Sequence, residues 1–194
     1  QSYLSLDEIN QWFNQLPLEK NHKLSTSELP LKNIFQQAIG GVKGRSGESK
    51  QINSEQLGLI EILDDIFGLM KTRHELDDEF QSWVNQLKIP LLKVILNEPN
   101  FLDNPLHPAR QVVNQLIQIG SVDRVSNKSL ERTVKKHIDS IVSEYDQNNS
   151  IFSTVSSALQ SLIDRQENAF KRNAERVAKA YEGQEKLSLA KQYV

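Results

Sequence analysis

The sequence has no cysteine and a single methionine. Without cysteine there is no disulfide staple, no thiolate metal site and no Cys–His nucleophile, and the absence fits a reducing compartment. It also lacks an excess of charge of either sign. A net charge of −2 and a pI near 6.1 give no global basic field to draw nucleic acid or an anionic membrane. No apolar run approaches the roughly 20 residues needed to cross a bilayer. The first residues show neither the charged region nor the apolar core of a signal peptide. These absences set the expectations of a cytoplasmic location, no membrane insertion and no nucleic-acid partner. The opening residue, Gln1 rather than Met, reads as an internal boundary of a longer chain.

What is present is 194 residues, 38% of them apolar and 25% charged. That is enough for one domain, or one domain with an extended element, built on a thin core of helices. Apolar spacing is helical almost throughout, and no segment sustains the period-two alternation of a strand. Ser5 is placed to cap a first helix, with Asp7 and Glu8 in its first turn and Pro17 ending it. The polar stretch Glu19 to Ser27 reads as a linker to a short helix around Leu31–Ile39. Gly40, Gly41, Gly44 and Gly47 then mark a mobile loop. From Asn53 a helix of about five turns carries Leu59, Ile62, Leu63, Ile66, Phe67 and Met70 on one face. Leu76–Leu96 continue helical, with Phe80, Trp83, Val84 and Leu87 inward and Pro90 forcing a kink or restart. Pro99, Pro105 and Pro108 punctuate a turn, and Pro108 suits the first position of a new helix bearing Val112, Val113, Leu116 and Ile117. Leu130 to Tyr145 form another helix. The last runs from Ile151 to about Glu182, apolar in its first half and highly charged from Arg165.

The fold class expected is therefore all-α: a helical bundle or short α-solenoid-like stack of about six to eight helices, with a long C-terminal helix. Its organisation reads as N-terminal helices over 1–39, a Gly-rich loop over 40–53, a helical core over 54–163 and a charged extension over 164–194.

Each motif weighs against a plainer reading. Gly44-Arg45-Ser46 resembles the end of a phosphate-binding loop, but the glycine spacing, the Lys and the preceding strand are missing. Gly41-Val42-Lys43-Gly44 fits the GxxG of an RNA-binding KH domain, a fold that also needs strands. Among His22, His74, His107 and His137, only Glu19–His22 has a Glu-x-x-His form, and a di-iron site needs two. Glu61, Asp64, Asp65, Glu75, Asp77, Asp78 and Glu79 are numerous, yet acidic residues on solvated faces and at helix starts are ordinary. No Gly-x-Ser-x-Gly elbow occurs. Arg172 to Arg176 matches half of a cyclic-dinucleotide signature, but in mid-helix with no second half. The expectations are no catalytic residue, no cofactor and no metal.

The segment that stands out is the proline-rich corner of Pro90, Lys93, Phe101, Asp103, His107, Pro108 and Arg110. Structurally, proline fixes the turns and Phe101 and Leu102 anchor the loop. Asp103 or Asn104 can bond free helix N–H groups, and His107 can cap the next helix. Arg110 can pair with Glu98 or Asp103, or bind exposed carbonyls. Functionally, an Arg and a His beside a rigid turn make a directional anchor for a protein partner. The structural role carries the greater weight.

Within this segment, Ile89-Pro90-Leu91-Leu92-Lys93-Val94, Asn100-Phe101-Leu102 and His107-Pro108-Ala109-Arg110-Gln111-Val112-Val113-Asn114 resemble the core of the bacterial domain-of-unknown-function 1631 family. The Ile62–Phe67 helix and the Ile138–Phe152 stretch with its charged helix resemble it too. The resemblance spans roughly Leu57 to Glu185, with Leu102 standing where a second aromatic is expected. It implies a piece of a long cytoplasmic protein of Gram-negative bacteria with no established activity. A thymidine phosphorylase label carried by some members finds no support here, since neither an α/β domain nor a phosphate site is apparent. The function expected is a helical scaffold or protein-interaction module of a larger regulatory protein, monomeric or weakly homodimeric. The alternatives are a ligand- or nucleotide-sensing domain and an enzyme using the acidic cluster.

Overall fold

The computed structural model describes residues 2–41, 47–72, 78–121 and 128–192. Among these are nine α-helices, α1 (Leu6–Gln15), α2 (Leu18–Thr26), α3 (Leu31–Ile39), α4 (Ser54–Lys71), α5 (Asp78–Asn85), α6 (Lys88–Asn97), α7 (Pro108–Ser121), α8 (Lys128–Glu144) and α9 (Ile151–Gln192). A 3₁₀ turn, Pro99–Leu102, joins α6 to α7. The all-α class holds, with one isolated parallel bridge between Tyr3 and Gln51.

Local chemistry explains most of the boundaries. Ser5 and Glu8 form a reciprocal capping box at α1, with bonds of 3.2 and 3.1 Å. Asn53 and Gln56 do the same at α4. Helix α3 begins after Pro30, which offers no capping side chain. Its N-terminal amides are met instead from α4: Asp64 accepts from Leu31 N at 2.6 Å and Lys32 N at 3.1 Å. That carboxylate also sits where the α3 dipole favours negative charge.

Three expectations are corrected. The stretch expected to be a linker, Glu19 to Ser27, belongs to α2, so the Glu19–His22 pair lies on a helix. Only Asn21 and Ser25 of α2 are buried, and a helix whose inward side chains are polar leaves no apolar period to read. The helical stretch expected over Leu76–Leu96, with its kink or restart at Pro90, is two helices from Asp78 onward, broken earlier, at Gln86 and Leu87. Pro90 restarts nothing itself; it sits in the first turn of α6, where its missing N–H has no intrahelical partner to lose. The last helix continues past Glu182 and through Gly183 to Gln192. With α2 and the α5–α6 break, the described residues hold nine helices, beside the about six to eight expected for this all-α fold. Residues 42–46 of the expected loop, Gly44 among them, lie outside the described residues, as do His74, Glu75 and Asp77.

The chain divides into two compact units, Gln1–Ser156 and Ser157–Val194. In the first, α6 is the buried centre: Lys88, Ile89, Pro90, Leu91, Leu92, Ile95 and Leu96 are all withdrawn from solvent. It packs against α1, α2, α4 and the 3₁₀ turn. An aromatic cluster ties α1 to α3 and to the end of α8: Trp12 lies 5.3 Å from Phe35, and Phe13 lies 5.9 Å from Phe35 and 6.4 Å from Tyr145. The second unit is the remainder of α9. Leu159, Leu162 and Ile163 are buried, whereas every residue from Glu167 to Lys191 is exposed.

Candidate functional site

One stripe of α6, buried at Pro90 and half-buried at Lys93, Val94 and Asn97, borders a cleft. Pro90, Lys93, Val94 and Asn97 follow the i, i+3, i+4, i+7 spacing of a single helix face. They form one wall of a cleft of about 540 Å³, a volume typical of ligand sites. Asn10 and Asn14, four residues apart on α1, form a second wall. Glu98, His107 and Pro108 supply a third from the turn before α7, and Tyr145, Asp146, Asn149 and Phe152 close it from the α8–α9 corner.

The polar groups here first hold the walls together. Asn10 and Asn97 exchange two amide bonds of 2.8 Å across 87 positions of sequence, and Asn97 also donates to Lys93 O at 2.8 Å. Lys93 Nζ donates to the Asp146 carbonyl at 3.1 Å and lies 3.5 Å from the Tyr145 carbonyl, just past the end of α8. A cation at that end complements the helix dipole and the carbonyls left free there. Burial pulls the Lys93 ammonium below the ordinary lysine value, opposed by the charge of Asp146. Tyr145 accepts from Asn21 Nδ2 at 3.2 Å. Burial, and then Asp146, push its phenol far above the ordinary tyrosine value, so it stays protonated; the Asn21 bond works in the other direction.

The proline-rich corner divides around this cleft. Pro90, Lys93, His107 and Pro108 face it, while Phe101, Asp103 and Arg110 are not among its walls. His107 Nδ1 accepts from Ala109 N at 3.1 Å, fastening the start of α7. Its Nε2 is 3.4 Å from Glu98 Oε1, and its ring meets buried Phe101 edge-on at 5.5 Å. Arg110 donates to the Leu102 carbonyl at 2.7 Å, the carbonyl alternative among its expected partners. Asn104 accepts from Leu106 N within the turn, Asp103 is exposed, and Leu102 is only half-buried.

Sequence reasoning did not reach Asn10, Asn14, Asn97, Tyr145, Asp146, Asn149 or Phe152 as cleft residues. The only signal was the four-residue spacing of Asn10 and Asn14, which any solvated helix edge can show. Of the acidic residues, Asp64 caps α3, and Glu61 pairs with Lys32 at 2.5 Å. No group of three or more His, Asp or Glu side chains with metal-binding geometry occurs among the described residues. No helix among them is long and apolar enough to cross a membrane.

The geometry defines an all-α helical domain built round one buried helix, with an amide-lined cleft at its flank. The family profile described as "Protein of unknown function (DUF1631) 2nd domain" matches residues 4–148, and the chain belongs to that family. The match takes in residues 4–56, ahead of the span of the resemblance read from sequence, and stops short of α9. No curated protein and no solved structure matches the chain.

Proposed function

We propose that this chain is a cytoplasmic protein-interaction module of a larger regulatory protein, without chemistry of its own, and that its cleft holds an extended segment of a partner polypeptide. The observation that carries the reading is the pair of exposed asparagines on the cleft wall, Asn14 and Asn149, beside Asn10 and Asn97, whose amides are engaged with each other and hold the wall rigid. A side-chain amide offers both a donor and an acceptor, the same pair that a peptide unit presents. Pro90, Val94, Pro108 and Phe152 add apolar contact for a partner side chain. Lys93 is balanced by Asp146 and Glu98, which disfavours a strongly anionic ligand such as a nucleotide.

The experiment is selection from a displayed random-peptide library on the folded domain. Convergent sequences are expected, with binding lost in an Asn14→Arg/Asn149→Arg variant of unchanged melting temperature; both positions are exposed, so folding is spared. Equal binding by wild type and variant would rule out the cleft. A thermal-shift screen with nucleotides and metals runs beside it, because selective binding to the folded state raises its stability. Stabilisation by one nucleotide, with no peptide selected, would move the reading to a nucleotide sensor.

A further inference from the structure

Two apolar helix faces stand uncovered, and they match. Helix α4 is apolar on more than its core side. Ile60, Leu63, Phe67 and Met70 are buried, but Leu59, Ile62, Ile66 and Leu69 repeat at three- and four-residue steps along a second stripe. Ile62 is 43% and Leu69 69% exposed, with Leu59 and Ile66 half-buried at the edge. A helix apolar this far round its circumference belongs in an interior. On α9, Phe170, Ala174, Val177 and Tyr181 repeat at steps of four, three and four. Phe170 is 76%, Val177 61% and Tyr181 71% exposed. At about 1.5 Å per residue the two stripes are about 15 and about 16 Å long.

Charge selects how they pair. Helix α4 carries Glu55, Glu61, Asp64 and Asp65 against Lys71; Glu61 is paired with Lys32 and Asp64 caps α3, which leaves Glu55 and Asp65 as its acids for a partner. The Phe170–Tyr181 stretch carries Lys171, Arg172, Arg176 and Lys179 against Glu175 alone. Pairing α4 with another α4 sets acid on acid, and pairing two α9 stretches sets base on base, both costly. Only the mixed pair opposes unlike signs. We propose that the α4 stripe docks the Phe170–Tyr181 stretch of a second copy of this chain. Heptad-like steps on both sides let the side chains interleave. Four apolar positions a side fall short of a standard interface of roughly 1,600 Å², so the association is weak and depends on concentration. The proposal does not rest on the cleft, and its test touches no cleft residue.

Sedimentation velocity of the 194-residue chain across a dilution series tests it. The expected result is a concentration-dependent shift above the monomer mass, stopping at twice that mass when both copies reciprocate the contact, and diminished by high salt. Leu69→Asp and Val177→Asp, both at exposed positions, should each abolish the shift with an unchanged far-ultraviolet circular dichroism spectrum. Arg172→Glu/Arg176→Glu should weaken it, and adding Glu55→Lys/Asp65→Lys should restore it. A monomer at every concentration overturns the proposal. So does an association lost with Val177→Asp but kept with Leu69→Asp, which would mean that the α9 stretches pair with each other.

Discussion

Tyr145 shows how much one side chain can connect. Its hydroxyl accepts from Asn21 on α2, its ring meets Phe13 on α1, and the Lys93 ammonium lies 5.9 Å from the ring centroid. Removing only the hydroxyl isolates one of these links. Tyr145→Phe leaves the ring in place and deprives a buried Asn21 amide of its acceptor. The expected cost is about 1–3 kcal/mol, read as a lower urea midpoint with unchanged slope. The sequence placed Tyr145 at the end of a helix, and the structure buries it one position past the last residue of α8. The apolar period cannot say that the phenol oxygen would find an asparagine 124 positions away. Periodicity reports which side of a helix faces in; it carries nothing about the partner.

Elements follow the same division. Helices α1, α3, α4 and α7 were legible because capping residues, prolines and apolar spacing agreed along each segment. Helix α2 was not, because it packs through Asn21 and Ser25, whose neighbours supply hydrogen bonds that no local pattern announces. Half of the cleft stayed hidden for a like reason: the α6 wall and the adjoining turn fall within one segment, but Asn10 and Asn149 come from distant ones. Beyond Glu167, α9 depends on helix propensity for its intrachain stability, since every residue to Lys191 is exposed. Gly183 sits inside that stretch with open space where a Cβ would stand. Gly183→Ala should therefore stabilise the local helix by about 1 kcal/mol, measured as slower amide hydrogen exchange on either side of it. The global melting temperature should hardly move.

For the molecule as a whole, the contacts that matter most join segments far apart in the chain. The Asn10–Asn97 exchange is the clearest, because it fastens α1 to the buried α6 by two bonds. Asn97→Ala removes both, along with the bond to the Lys93 carbonyl. The expected result is a loss of about 1–2 kcal/mol, with hydrogen exchange quickening in α1 more than in α4. The capping of α3 reaches further, into the order of assembly. Helices α1, α4 and α7 begin on caps supplied within a few residues, so their first turns can flicker into being in an unfolded chain. Helix α3 borrows its start from Asp64, 33 residues downstream. Its first turn is thus a late arrival, completed only once α4 has docked, and the pair Leu31–Ile39 and Ser54–Lys71 enters the native state as one cooperative step.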